Sequence, residues 1–184
     1  MDESRYASLK IENIVASGVI AHSIDLESVA KRVKNCDLNR KRFPGAVLRI
    51  EKPKIASLIF SSGKVVLTGI RGKEDLAEGI KVISASLRDA GVPTLPDPEI
   101  AITNIVCSYN FGTTINLNKV VMTLDLENIE YEPEQFPGLV YRISDPRIVA
   151  LLFSSGKIIL TGGKTMEDVR KALDVLAQRI DGIL

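Results

Sequence analysis

Histidine occurs once, cysteine twice and tryptophan not at all in these 184 residues. The single histidine, His22, offers no second imidazole for a metal and stands without the partners of a Ser/His/Asp set. Cys36 and Cys107 have no histidines nearby, so they form neither a disulfide framework nor a zinc site, and both read as small buried or half-buried residues. The phosphate-loop spacing Gly-x-x-x-x-Gly-Lys-Ser/Thr is missing, which leaves Ser-Ser-Gly-Lys as a turn. No catalytic residue, metal ligand or cofactor is assigned, and an enzyme is not expected. No apolar run approaches bilayer length, and Met1-Asp2-Glu3-Ser4-Arg5-Tyr6 does not resemble a signal peptide. A soluble intracellular protein with no membrane partner is expected.

An excess of one charge is lacking as well, since 24 Lys/Arg stand against 23 Asp/Glu. A net charge of +1 ordinarily argues against a nucleic-acid partner, but its distribution changes that view. Residues 1–93 hold 16 Lys/Arg against 11 Asp/Glu, giving +5, whereas residues 94–184 hold 8 against 12, giving −4. Such asymmetry suggests that the halves meet different partners, or opposite ends of one partner.

What is present is a tandem duplication. The segment from Phe43-Pro44-Gly45 to Phe60-Ser61-Ser62-Gly63-Lys64 and Leu67-Thr68-Gly69 recurs from Phe136-Pro137-Gly138 to Phe153-Ser154-Ser155-Gly156-Lys157 and Leu160-Thr161-Gly162. Without gaps, 17 of the 28 positions from 43 to 70 are identical to their partners at 136 to 163. Repeats of this kind set the architecture. Each copy opens on a strand-like stretch, 10–17 or 102–108, with Asn and Val two apart and so on one face. A short helix follows, with Asp25 and Asn116 as N-cap candidates. Three strand-like segments come next, near 46–51, 56–61 and 64–69 in the first copy, with turn signals at Lys52-Pro53 and Ser62-Gly63. Each copy closes on a helix, Lys73 to Asp89 or Thr165 to Ile180. Their apolar stripes are Leu76, Ile80, Ile83 and Leu87, and Val169, Leu173, Leu176 and Ile180. The domain reading is a tail at 1–8, a repeat at 9–92, a proline-bearing linker at 93–99 and a second repeat at 100–184.

One amphipathic helix per repeat covers one sheet face, through residues such as Val65 and Leu67 or Ile158 and Leu160. The other face is nonetheless apolar, with Val15, Leu58, Phe60 and Val66 in the first copy and Val106, Leu151, Phe153 and Ile159 in the second. Asn13, Thr68, Asn104 and Thr161 interrupt it, and Arg42, Arg49, Lys64, Arg142 and Lys157 border it. An apolar surface of this extent marks an interaction site. Packing of two such faces as a sandwich core is the alternative, although matched Asn and Thr in a core would need satisfied hydrogen bonds. A lipid or small-molecule carrier would also use an apolar face, without needing basic margins or Asn/Thr pairs. The combination suits the minor groove of DNA, whose floor is largely apolar, with acceptors only at A·T pairs.

The Phe-Pro-Gly, Phe-Ser-Ser-Gly-Lys and Leu-Thr-Gly elements, with the Asn-Ile-Val opening each copy, resemble the TATA-box-binding protein family over residues 9–182. The resemblance implies an α+β saddle, in which two pseudo-symmetric repeats form one curved antiparallel ten-stranded sheet with helices on the convex face. It implies a general transcription factor of archaeal type that takes double-stranded A/T-rich promoter DNA. Phe43 with Phe60, and Phe136 with Phe153, match the family's inserting phenylalanines at the ends of an eight-base-pair site, and the wedge geometry comes with the resemblance. Asn13, Thr68, Asn104 and Thr161 match its central hydrogen-bonding residues, while Val15, Val66, Val106, Ile159, Leu58 and Leu151 would pack on the groove floor. Arg42, Arg49, Lys64, Arg142 and Lys157 would hold phosphates. Glu132 and Glu134 lie in an acidic loop resembling the docking site for transcription factor B, with Gln135 where some members have leucine. RNA polymerase is an indirect partner, and a homodimer without DNA is left open. An archaeal chain would work in the cytoplasm or nucleoid, a eukaryotic one in the nucleus.

Overall fold

A computed structural model describes residues 3–184. Met1 and Asp2, part of the segment read as a tail, lie outside the described residues. The chain divides into two compact units, Asn13–Thr103, and Asn104–Leu184 together with the N-terminal segment through Glu12. Each contains five antiparallel strands and two α-helices, the α+β class expected.

In the first unit the strands are β1 (Lys10–Val19), β2 (Cys36–Leu38), β3 (Ala46–Ile50), β4 (Ile55–Ile59) and β5 (Lys64–Ile70), hydrogen-bonded in the order β2-β3-β4-β5-β1. Helices α1 (Leu26–Arg32) and α2 (Lys73–Asp89) complete it. In the second unit β6 (Ile100–Asn110), β7 (Ile129–Glu130), β8 (Leu139–Ile143), β9 (Ile148–Leu152) and β10 (Lys157–Gly163) run in the order β6-β10-β9-β8-β7, with α3 (Leu117–Thr123) and α4 (Met166–Ile180). The edge strands β2 and β7 were not read from the residues, because three and two residues are too few to show an alternating pattern. The β3–β4 and β8–β9 turns contain the cis bonds Lys52-Pro53 and Asp145-Pro146.

The helix starts follow from capping. Asp25 accepts from Ser28 N–H at 3.3 Å and Asn116 from Lys119 N–H at 3.1 Å, each satisfying a donor that the first helical turn leaves open. Thr165 does the same for α4, accepting from Asp168 N–H at 3.1 Å. The α4 stripe Val169, Leu173, Leu176 and Ile180 is fully buried. In α2 only Ile83 and Leu87 are, while Leu76 and Ile80 are half-buried.

Each core lies between the helices and one sheet face, formed by Ala16, Leu48, Ile59, Val65 and Leu67 in the first unit and by Cys107, Leu139, Leu152, Ile158 and Leu160 in the second. Burial pushes the Cys107 thiol up to about 11, with the Glu12 carboxylate adding to the effect. Cys36 on the edge strand is half-buried. One polar atom in the first core, Ser57 Oγ, is buried with no hydrogen-bond partner, and its counterpart in the second is Ala150. The N-terminal segment is pinned to α4 within the second unit. Tyr6 donates its hydroxyl to Asp174 Oδ2 at 2.7 Å, Arg5 reaches Asp174 Oδ1 at 3.2 Å, and the Arg170 guanidinium lies 5.3 Å from the centre of the Tyr6 ring. No helix among the described residues is long and apolar enough to cross a membrane.

Candidate nucleic-acid interface

Strand alternation puts the remaining side chains of each sheet on the face opposite its helices, and pairing register says which of them stand side by side. In the first unit Val47, Leu58, Val66 and Ser17 form one cross-strand row, and Arg49, Ala56 and Thr68 the next. In the second, Val140, Leu151, Ile159 and Ser108 form one row, and Arg142, Val149, Thr161 and Val106 the other. Val15, Leu58, Phe60 and Val66, like Val106, Leu151, Phe153 and Ile159, are half-exposed. Sequence reasoning missed Val47, Ala56, Val140 and Val149. Their signal was available, since Val47 is two residues from Arg49 and Ala56 two from Leu58.

The polar groups are held from behind by backbone. Opposite Val15, β5 carries an extra residue, a bulge marked by the register shift between Ile14 and Ala16. Gly69 sits there with φ of 93°, a left-handed conformation that glycine adopts without Cβ strain. Its N–H donates to Asn13 Oδ1 at 2.7 Å. A backbone N–H can only donate, so it fixes the amide's orientation, with oxygen inward and Nδ2 outward beside Thr68 Oγ1 at 3.1 Å. The second unit repeats this, with Gly162 at φ of 107°, its N–H 2.7 Å from Asn104 Oδ1, and Nδ2 3.4 Å from Thr161 Oγ1. Each threonine hydroxyl also lies 3.5 Å from the oxygen of its asparagine amide, so the pair is closed on itself. What each unit presents beyond the pair, on an otherwise apolar surface, is the second N–H of the amide, since Nδ2 carries two and gives one to the threonine.

Each unit also holds a pair of phenylalanines, one of them at the far end of the strand that runs past the threonine. The ring centres of Phe43 and Phe60 are 5.5 Å apart at 65°, and those of Phe136 and Phe153 are 5.9 Å apart at 72°, edge-to-face contacts that hold the rings against each other. Glycine makes room for them. A Cβ on Gly45 would stand 2.8 Å from Phe43 Cε1, and one on Gly138 would stand 2.7 Å from Phe136 Cε1 and 3.0 Å from Phe153 Cε1. The loops leading to Phe43 and Phe136 close alike, Asn39 O accepting from Arg42 and Phe43 N–H, and Glu132 O from Gln135 and Phe136 N–H.

The cations named from the sequence, Arg42, Arg49, Lys64, Arg142 and Lys157, are all exposed. Only Arg142 has an ion pair among the described residues, with Glu130 Oε2 at 3.2 Å. That pair is solvent-exposed and so of small energy, easily exchanged for another anion. Glu132 and Glu134 are exposed in the acidic loop. His22 is exposed as well, and no group of three or more His, Cys, Asp or Glu among the described residues is placed to hold a metal ion.

Residues 8–90 and 99–183 match the family model described as transcription factor TFIID, or TATA-binding protein. A TATA-box-binding protein of Archaeoglobus fulgidus is 48% identical over 172 residues, covering 94% of each chain. One of Haloarcula marismortui is 48% identical over 176 residues, covering 96% of this chain and 95% of its own. The solved structure of the Methanococcus jannaschii TATA-binding protein superposes with a TM-score of 0.86 at 45% identity, covering 96% of this chain and 99% of the other. A family match over both repeats, relatives near half identity and a shared fold together establish that this chain belongs to the TATA-binding protein family of general transcription factors.

Proposed function

We propose that this chain binds A/T-rich promoter DNA in the minor groove, kinks it with its phenylalanine pairs, and recruits transcription factor B and, through it, RNA polymerase. The observation that carries the reading is the backbone-locked Asn/Thr pair of each unit. Minor-groove edges of A·T pairs offer only acceptors, adenine N3 and thymine O2, which suit outward amide N–H groups. A G·C pair adds the guanine amino group, a donor facing donors. The half-exposed valines, leucines and Ile159 around these groups fit the apolar walls and floor of the groove. Exposed cations at the margins supply the phosphate contacts that dominate affinity.

Kinking follows from the aromatic pairs. Opening a base step loses stacking, and a rigid ring entering the gap replaces part of it, at least cost where the step is flexible, as TA is. The acidic loop with Glu132 and Glu134 would meet a basic surface of transcription factor B. A gel mobility shift on an A/T duplex, with and without transcription factor B, tests both parts. Wild type should shift the duplex and then supershift it, and Glu132→Arg with Glu134→Arg should lose only the supershift. Failure to shift the A/T duplex in preference to a G/C one would refute the DNA reading.

A further inference from the structure

The second unit exposes apolar side chains that the sheet face does not use. On α3 and the 3₁₀ turn after it (Leu126–Asn128), Met122 is 88% exposed and Leu126 68% exposed. With Val121, Leu124 and Asp125 they line an open groove. The first unit is an internal control. Helix α1 has the same capping arrangement and the same buried pair, Leu26 and Val29 for Leu117 and Val120. Yet it carries Ala30, Lys31 and Val33 where the second unit has Val121, Met122 and Leu124, and it lacks the two extra residues that lengthen the second unit's turn around Leu126 before the edge strand. The fold therefore does not require large apolar groups at these positions, and their exposure in one copy alone points to a contact.

The surroundings select the partner. From Val121 to Gln135 there are five acidic residues and no Lys or Arg, whereas the corresponding 30–42 segment has six basic residues and one acidic. Asp125 lines the groove, Glu127 stands in the same turn, and the nearest cation on α3, Lys119, is engaged with Ile183 O at 3.4 Å. An apolar groove with acidic neighbours disfavours nucleic acid and anionic lipid and favours a cationic amphipathic segment. A second copy of this chain does not fit. Its basic segment at 30–42 contains none of the exposed large apolar side chains, which among the described residues are Val19, Met122, Leu126, Phe136 and Leu184. Methionine at the centre suits a groove that must adapt to an incoming helix.

We infer that the groove formed by Val121, Met122, Leu124 and Leu126 docks a basic amphipathic helix of a protein partner. The contact is separate from the loop holding Glu132 and Glu134, and it does not depend on the DNA reading. The test uses the full chain and a fluorescently labelled synthetic helix with leucines at i, i+3, i+4 and i+7 and lysines elsewhere, followed by anisotropy. Its controls are a scrambled peptide of the same composition and one with glutamates for lysines. The variant Met122→Lys with Leu126→Asn puts at position 122 the residue type that the first unit already folds with, and at position 126 a polar group on an exposed turn. Saturable binding of the amphipathic basic peptide alone, weakened at least tenfold in the variant while the melting temperature holds, is the expected result. Equal binding of the scrambled peptide, or equal binding to the variant, would overturn the inference. So would sedimentation showing that wild type self-associates and the variant does not, because the occupant would then be a second copy.

Discussion

The Gly69 N–H lies 2.7 Å from Asn13 Oδ1, and the Gly162 N–H lies 2.7 Å from Asn104 Oδ1. In both units a bulge glycine decides which end of an asparagine amide faces outward. This turns an ambidextrous side chain into a donor, and the proposed preference for A·T pairs rests on that polarity.

Asn13→Asp keeps the shape and can still accept from Gly69, but it presents an acceptor where the amide presented a donor. Affinity for an A/T duplex should fall by about 1–3 kcal/mol, roughly 5- to 150-fold, and discrimination against G/C should shrink. Titrations of both duplexes at one salt concentration measure this. Unchanged discrimination would mean that the amide does not read the base pair.

Five exposed cations border the proposed groove face. If all five reach phosphates, log K should fall with log salt at a slope of about −4 to −5, and Lys64→Ala should flatten it by about 1. Glu130 holds Arg142 at 3.2 Å, so Glu130→Gln should free that cation and tighten binding by about 0.2–1 kcal/mol. A salt-independent affinity would instead favour the carrier reading raised by the sequence.

Ser57 Oγ is buried without a partner, and the second unit fills the equivalent place with Ala150. Ser57→Ala removes an unsatisfied group without opening a cavity of consequence. Stability should rise by about 1 kcal/mol in urea unfolding, with DNA binding unaffected. A loss of stability would show that the hydroxyl has a partner after all.

Tyr6 is held above its ordinary value, first by its hydrogen bond to Asp174 and then by burial. A group raised in the folded state contributes its stability below the unfolded value, about 10 for tyrosine, and loses it as pH rises through the folded one. Tyr6→Phe should therefore destabilise by about 1 kcal/mol at neutral pH, and the difference from wild type should disappear in the alkaline range above about pH 10. Melting curves of both proteins from pH 7 to about 11 would show it, and a difference independent of pH would assign the effect to packing.

Much of this was legible because the chain states it twice. The duplicated Phe-Pro-Gly and Phe-Ser-Ser-Gly-Lys elements located the strands, and the apolar spacing of Val169, Leu173, Leu176 and Ile180 located a helix whose stripe is fully buried. The edge strands at Cys36–Leu38 and Ile129–Glu130 were not legible, being shorter than one period of alternation can reveal. Leu-Thr-Gly was visible as a motif, but the work of its glycine was not, because a backbone N–H leaves no mark on residue type. The docking of Tyr6 and Arg5 onto Asp174, about 168 residues away in sequence, rests on long-range contacts that periodicity does not encode.

The most direct test of the central claim is fluorescence transfer between dyes at the two ends of a TATA duplex. Wild type should raise the transfer by bending the duplex. Phe43→Ala with Phe60→Ala, or Phe136→Ala with Phe153→Ala, should lower it even at protein concentrations that saturate the DNA. Undiminished bending by either double variant at saturation would contradict the assignment of these phenylalanines as wedges.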